Sequence, residues 1–203
     1  NPETGRYRLG VGLIELAGLV VVGVDLRQVA RPLLAQLAHQ TQETVNLAIR
    51  DGDEAINIEN EPPYDRRVLN IGWVGRRTPL HASSTGKILL TFLPEEESRP
   101  LLQKPLERFT PHTITDITAL QAELASVRQR GYATGLEELE VGLNAVAAPI
   151  RNHSDRVVAA ISIAGPSYRF SRQLIEEKAS TQVVNCAERI SHALGFVQAD
   201  EEE

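Results

Sequence analysis

Between Asn144 and Gly165 the chain has the alternation of a β-hairpin but almost no side-chain volume. Ala145, Ala147 and Ala148 fall in one run, 144–150. Ala159, Ala160, Ser162 and Ala164 fall in the next, 156–164, with the polar connection Asn152-His153-Ser154-Asp155 between them. Interiors pack at near-crystalline density, so strands this thin leave two outcomes. Either a helix lies very close on the sheet, or space remains for a ligand. Alternation turns Ile161 and Ile163 toward the helices and puts Ala160, Ser162 and Ala164 on the opposite face.

The remaining periods place this hairpin in a larger sheet. Tyr7 and Leu9 alternate with Arg6 and Arg8 as the end of an upstream strand, and Leu13, Leu16, Ala17 and Val20 follow helical spacing. A second helix begins at Asp25, with Leu26, Ala30, Leu33, Leu34, Leu37 and Ala38 on one face and a kink or late start expected at Pro32. Val45, Leu47 and Ile49 predict a half-buried strand that turns at Asp51-Gly52 into a second. A third strand is expected over 67–74, with Leu69, Ile71 and Trp73 on one face. Ser83, Ser84 and Thr85 open a short helix, and Pro94 at the first helical position opens another. Thr118 and Gln121 read as a capping box for a helix stopped by Gly131. Ser171 caps a long terminal helix running to Gly195. Hairpins outnumber βαβ crossovers, so the class is α+β, a mostly antiparallel sheet with helices packed on it.

Several chemistries are excluded or disfavoured. With 21 Lys and Arg against 27 Asp and Glu, the chain carries −6, the wrong sign for a nucleic-acid surface. A single cysteine, Cys186, excludes an internal disulfide or CxxC motif and fits a reducing cytoplasm. The five histidines have no metal-ligand spacing, and neither a metal nor a cofactor is expected. Glu137, Glu138 and Glu140 could hold a cation once folded, but a solvated acidic turn is the simpler reading. No apolar run reaches the roughly 18 residues of a membrane span. His81 and Ser83 are close in sequence, but no GxSxG elbow accompanies them, and helix capping by Ser83 is the simpler reading. Gly86-Lys87 lacks the spacing of a phosphate loop, although the helix start retains an anion-binding character. No methionine occurs and residue 1 is Asn, so the chain reads as a fragment.

Five segments, in this order, resemble the effector-binding domain of IclR-type transcriptional regulators. They are Tyr7-Arg8-Leu9-Gly10; residues 75–87, GRRTPLHASSTGK; Gly131-Tyr132-Ala133; residues 142–149, GLNAVAAP; and residues 160–165, AISIAG. The likeness extends from Tyr7 to about Phe196. It implies a GAF-like (profilin-like) fold with a ligand cup on one side of the sheet. It also implies an N-terminal winged helix-turn-helix that this chain lacks. Residues 1–24 would then be the end of the wing and a linker helix, 25–197 the effector domain, and 198–203 an acidic, disordered tail.

The resemblance further implies a non-enzymatic sensor, cytoplasmic and homodimeric or homotetrameric. It would bind a small organic acid and contact DNA only through the absent module. Family ligand positions fall on Ser84, Thr85, Gly135, Ala145, Ser162 and Ala164, with Asn144 beside them. A polar version of the pattern has an acid at 135, Cys at 145 and Ser at 164. Gly135, Ala145 and Ala164 remove those groups, which points to a larger, less polar ligand such as an aromatic acid. Its carboxylate would meet Ser84 and Thr85, and Leu69, Ile71 and Trp73 would supply an apolar wall. The rival expectations are a small GAF-like hydrolase acting through His81 and Ser83, and a purely structural dimerisation module with a filled cup.

Overall fold

The computed structural model describes residues 25–63 and 73–197. The expected wing and linker helix, the 198–203 tail, and Leu69 and Ile71 lie outside the described residues. Helix α1 (Asp25–Thr41) leads into β1 (Thr44–Asp51), β2 (Glu54–Glu61) and the short β3 (Arg77–Pro79). Helices α2 (Ser84–Thr91), α3 (Glu95–Leu102) and α4 (Ile117–Arg130) follow. Then come β4 (Ala133–Leu136), β5 (Leu143–Arg151) and β6 (Val157–Pro166). The terminal helical run comprises α5 (Arg172–Leu174), a π-helical turn (Ile175–Ala179) and α6 (Ser180–Ala193). The six strands form one antiparallel sheet in the order β3-β2-β1-β6-β5-β4. The α+β class with an antiparallel sheet is what the hairpin spacing implied.

Each face of the sheet has its own core. On one, α1 and α6 pack through Leu34, Leu37, Val183 and Ile190 onto Val45, Leu47, Ile161 and Ile163. On the other, Ile88, Leu89 and Leu90 of α2 lie over Ala48, Ala133, Ala147 and Ala160, with Leu120 and Val127 of α4 beyond. Both outcomes foreseen for the alanine strands therefore occur, at opposite ends of the same strands. Ala147 and Ala160 let α2 approach closely, while Ala145, Ser162 and Ala164 lie past its first turn and border open space.

Local chemistry explains most boundaries and corrects several. Pro32 lies inside α1, which runs on through it. The α4 cap is Asp116, whose carboxylate accepts from the Ala119 amide, in place of the Thr118–Gln121 box; Gly131 ends the helix at φ 78°. Pro94 is the cap position of α3, one residue ahead of its first helical residue. Trp73 lies outside any strand, and β3 begins only at Arg77, so the strand expected to end at Val74 is not formed there. The edge strand β4 has no counterpart in the sequence reading. A bulge in β2 opposite Leu47 and Ala48 turns Glu59 toward α1 and leaves Asn57 on the α2 side.

Gly86 is a steric requirement. A Cβ there would lie 2.5 Å from the Leu80 Cα and 2.6 Å from its carbonyl oxygen, both backbone atoms. Gly86→Ala is expected to cost about 1–3 kcal/mol by overpacking, read as a lower urea midpoint. Cys186 offers a pH readout. Burial pushes its thiol from the ordinary 9.0 up to about 11. As pH rises past 9 the unfolded thiol ionises while the folded one keeps its proton. Stability is therefore lost at up to about 1.4 kcal/mol per pH unit until the folded value is reached. Urea midpoints across this window should fall less steeply in Cys186→Ala than in the wild type.

Candidate effector site

The cup is built at the N-terminal end of α2. Ser83 caps the helix: its Oγ accepts from the Gly86 amide at 3.1 Å, donates to the Pro79 carbonyl at 2.8 Å, and accepts from the Thr78 hydroxyl at 3.2 Å. Ser84 and Thr85 occupy the first turn, where backbone amides have no intrahelical acceptor and the helix dipole is positive. Opposite them is Gly135 of β4, whose missing Cβ would stand 3.4 Å from the Ser84 nitrogen. Strand register supplies the floor. Asn46 pairs with Ser162, Ser162 with Ala147, Ala145 with Ala164, and Gly135 with Ala145.

The walls differ in chemistry. Asn46 and Asn57 form a polar side, with the Asn46 Oδ1 accepting from the Asn60 Nδ2 at 2.7 Å. Leu139, Leu143, Ala82, Ala145 and Ala164 form an apolar one. Arg76 stands at the mouth, ion-paired with Glu140 and with its guanidinium 5.1 Å above the Trp73 ring centre. The cavity is about 60 Å³ and opens to the surface. A single water needs roughly 10–15 Å³ by the same measure, so the space holds a group of several atoms.

Ser84, Thr85, Gly135, Ala145, Ser162 and Ala164 are thus brought together around one hollow. Asn144 faces the other way. Its Nδ2 donates to the Phe170 carbonyl at 2.8 Å, and its buried Oδ1 has no hydrogen-bond partner. Trp73 is 60% exposed and supports Arg76 at the rim without lining the cavity. His81 and Ser83 do not form a catalytic pair: the His81 Nε2 lies 2.9 Å from the Glu107 carbonyl, and Ser83 is engaged as the cap. Among the described residues no group of His, Cys, Asp or Glu is arranged to hold a metal ion. No helix among them is long and apolar enough to cross a membrane.

The sequence and the fold match known proteins. The family model described as "Bacterial transcriptional regulator IclR C-terminal" matches residues 18–192. The chain belongs to the IclR family. It is the ligand-sensing domain of an IclR-type regulator, a family whose members bind small-molecule effectors and DNA. The HTH-type transcriptional regulator XynR of Escherichia coli is 38% identical over 200 residues, covering 97% of this chain and 77% of XynR. The Thermotoga maritima IclR structure superposes with a TM-score of 0.81 at 35% identity, covering 94% of this chain and 77% of that one. The inducer-binding domain of the PobR transcription factor from Acinetobacter, a double mutant in complex with 3-hydroxybenzoic acid, superposes with a TM-score of 0.75 at 32% identity. That match covers 81% of this chain and 96% of PobR's.

Other residues of this IclR cup were not singled out beforehand. Arg76 and Thr78 were within reach, because both lie in the GRRTPLHA segment. Asn46 shares a β1 face with Ala48 and could be placed by alternation alone. Asn57 was hidden by the bulge, and Leu139 and Leu143 by a connection with no period.

The acidic turn is the clearest correction. Glu138 is buried, and both its carboxylate oxygens bond the Lys87 ammonium, at 2.8 and 3.0 Å. Burial pushes the Glu138 carboxyl above the ordinary carboxylate range, and Lys87 pulls it part of the way back. Removing one partner of a buried pair strands the other. Lys87→Met is therefore expected to lower stability by about 3–5 kcal/mol near neutrality. As pH falls the orphaned Glu138 takes up a proton, so the gap to wild type in denaturant titrations should narrow.

Proposed function

We propose that the cup binds a small organic acid, with an aromatic acid as the preferred class, its carboxylate held by the first turn of α2. The observation that carries this reading is the juxtaposition of the Ser84–Thr85 turn with Gly135. Unpaired amides, two hydroxyls and a dipole end converge where a carboxylate oxygen would sit, and a glycine leaves the approach open. The apolar contribution of Leu139, Leu143, Ala145 and Ala164 suits a hydrocarbon body. The hydroxybenzoic acid bound by PobR is a ligand of this class. A cavity of about 60 Å³ takes the carboxylate and adjoining atoms, and a ring requires the wall at Leu139 and Leu143 to move outward.

The domain acts without catalysis. It works in the cytoplasm as a homodimer or homotetramer, and the effector alters the fit of paired winged helices to an operator. A ligand does so only by binding one quaternary arrangement more tightly than another. The apolar Leu13–Val24 segment is the natural candidate for the dimer contact. This assignment rests on its composition.

Thermal shift across glyoxylate, pyruvate, benzoate and 3-hydroxybenzoate tests the effector class. At a hundredfold excess over Kd, linkage gives about 2.7 kcal/mol of stabilisation. The aromatic acids are expected to shift the transition most, and a shift from glyoxylate or pyruvate alone overturns that preference. Ser162→Phe fills the floor and should abolish the shift while circular dichroism stays native.

A further inference from the structure

Lys87 has no part in the reading above, yet its ammonium is among the most deeply buried charges of the domain, with a side chain 1% exposed. Besides Glu138 it reaches Glu123 at 3.4 Å, and Glu123 is held in turn by Arg130 at 2.8 Å. A buried ion pair seldom outperforms apolar side chains of the same volume, so stability alone gives no reason for it. Its position does. Lys87 is three residues from Ser84 on the eight-residue helix α2, and therefore near the same helix face as the turn that meets the carboxylate. Glu138 lies in the β4–β5 connection, between Gly135 on one side and Leu139 and Leu143 on the other, all of which line the cup. The Glu138 carboxylate also accepts from the Leu136 amide at 3.4 Å, and its carbonyl accepts from the Thr113 hydroxyl at 2.6 Å. One ion pair thus ties the helix that supplies the amides to the segment that supplies the facing wall.

We infer that Lys87 and Glu138 are a positioning pair for the effector site: their bond fixes the gap between the first turn of α2 and the Gly135–Glu138 part of the wall. Neither residue touches the ligand. Apolar side chains would fill the same volume, but their attraction is non-directional. A carboxylate gripping an ammonium through both oxygens adds directional, charge-assisted bonds that hold the gap to one width. The inference rests on the effector-cup reading and goes further by naming what sets the width of that cup.

The double variant Lys87→Met/Glu138→Met tests it. Both replacements are unbranched and close in volume, and Glu123 keeps Arg130 as its counter-ion. The probe is whichever of the four acids shifts the wild-type transition most. Urea unfolding gives stability, and isothermal titration gives the Kd of that acid. The double variant is expected to unfold at or above the wild-type midpoint while its Kd weakens at least tenfold. Cys186→Ala, on the far side of the sheet, should lower the midpoint and leave the Kd unchanged, which separates positioning from stability. A folded double variant with a Kd within twofold of wild type overturns the inference. If the double variant does not fold, Glu138→Gln, which drops the charge and keeps the shape, carries the same comparison: at least threefold weaker binding supports positioning, and unchanged binding refutes it. A wild-type domain that responds to none of the four acids overturns the effector reading, and the positioning pair with it.

Discussion

Helix α2 has no exposed residue along its length, and a helix without a solvent face must be accommodated by whatever lies above and below it. Below it, Ala48, Ala133, Ala147 and Ala160 present single methyl groups from four adjacent parts of the sheet. Above it, Leu120 and Val127 of α4 close the layer. The alanines are thus required by the proximity of the helix, and Gly86 is required by the Leu80–Ser83 segment that crosses its first turn. Burying that turn also buries Ser83, Ser84 and Thr85. Buried polar groups need partners. Ser83 finds them in the protein, while the turn it caps opens on the cup.

Both faces of the sheet carry a buried, ion-paired carboxylate, but they differ in where the cation sits. On the α1 side, ion pairs lie at the rim, where Arg27 and Arg31 converge on a single Glu59 oxygen at 3.2 and 2.9 Å. Burial pushes the Glu59 carboxyl up, but the two guanidiniums outweigh it and hold it below the usual range. The core on this face is aliphatic apart from Phe170 and Cys186. On the α2 side, by contrast, a lysine is buried in the layer itself, one turn from the cup.

Sequence reading reached the strands of both hairpins, whereas the strand expected over 67–74 is not formed at Trp73 and Val74 and otherwise lies outside the described residues. Both hairpins, the Gly131 stop and the division of Ile161 and Ile163 from Ser162 and Ala164 all follow from a period of two and from turn chemistry. Of the cup, Ser162, Ala164 and Ala145 were legible from missing volume, and Ser84 and Thr85 from capping preferences. Gly135 came from the family resemblance alone, because β4 is four residues long and too short to show a period. Asn144 was misplaced by one step of alternation: its neighbours 143 and 145 line the hollow, and it faces Phe170. Glu138 was read as solvated because two nearby acids, Glu137 and Glu140, look alike in sequence. Only the arrival of Lys87 from 51 residues earlier distinguishes it.

The two ion pairs beside the cup differ in what their rupture costs, and this decides how the cup can widen. Lys87–Glu138 is buried, so separating its members strands charge in a poorly hydrated interior. Arg76–Glu140 lies at the mouth and is half-exposed: the Arg76 side chain is 15% exposed, but that of Glu140 is 52% exposed and within reach of water. Exposed pairs of that kind contribute about 0–1 kcal/mol. Widening the hollow from the Arg76–Glu140 side would therefore strand less charge than widening it at Glu138. A movement of this kind carries information only if the open mouth and the closed mouth favour different assemblies of the regulator. Val141, 73% exposed in the 137–142 connection, marks the side of the cup wall that faces away from the hollow.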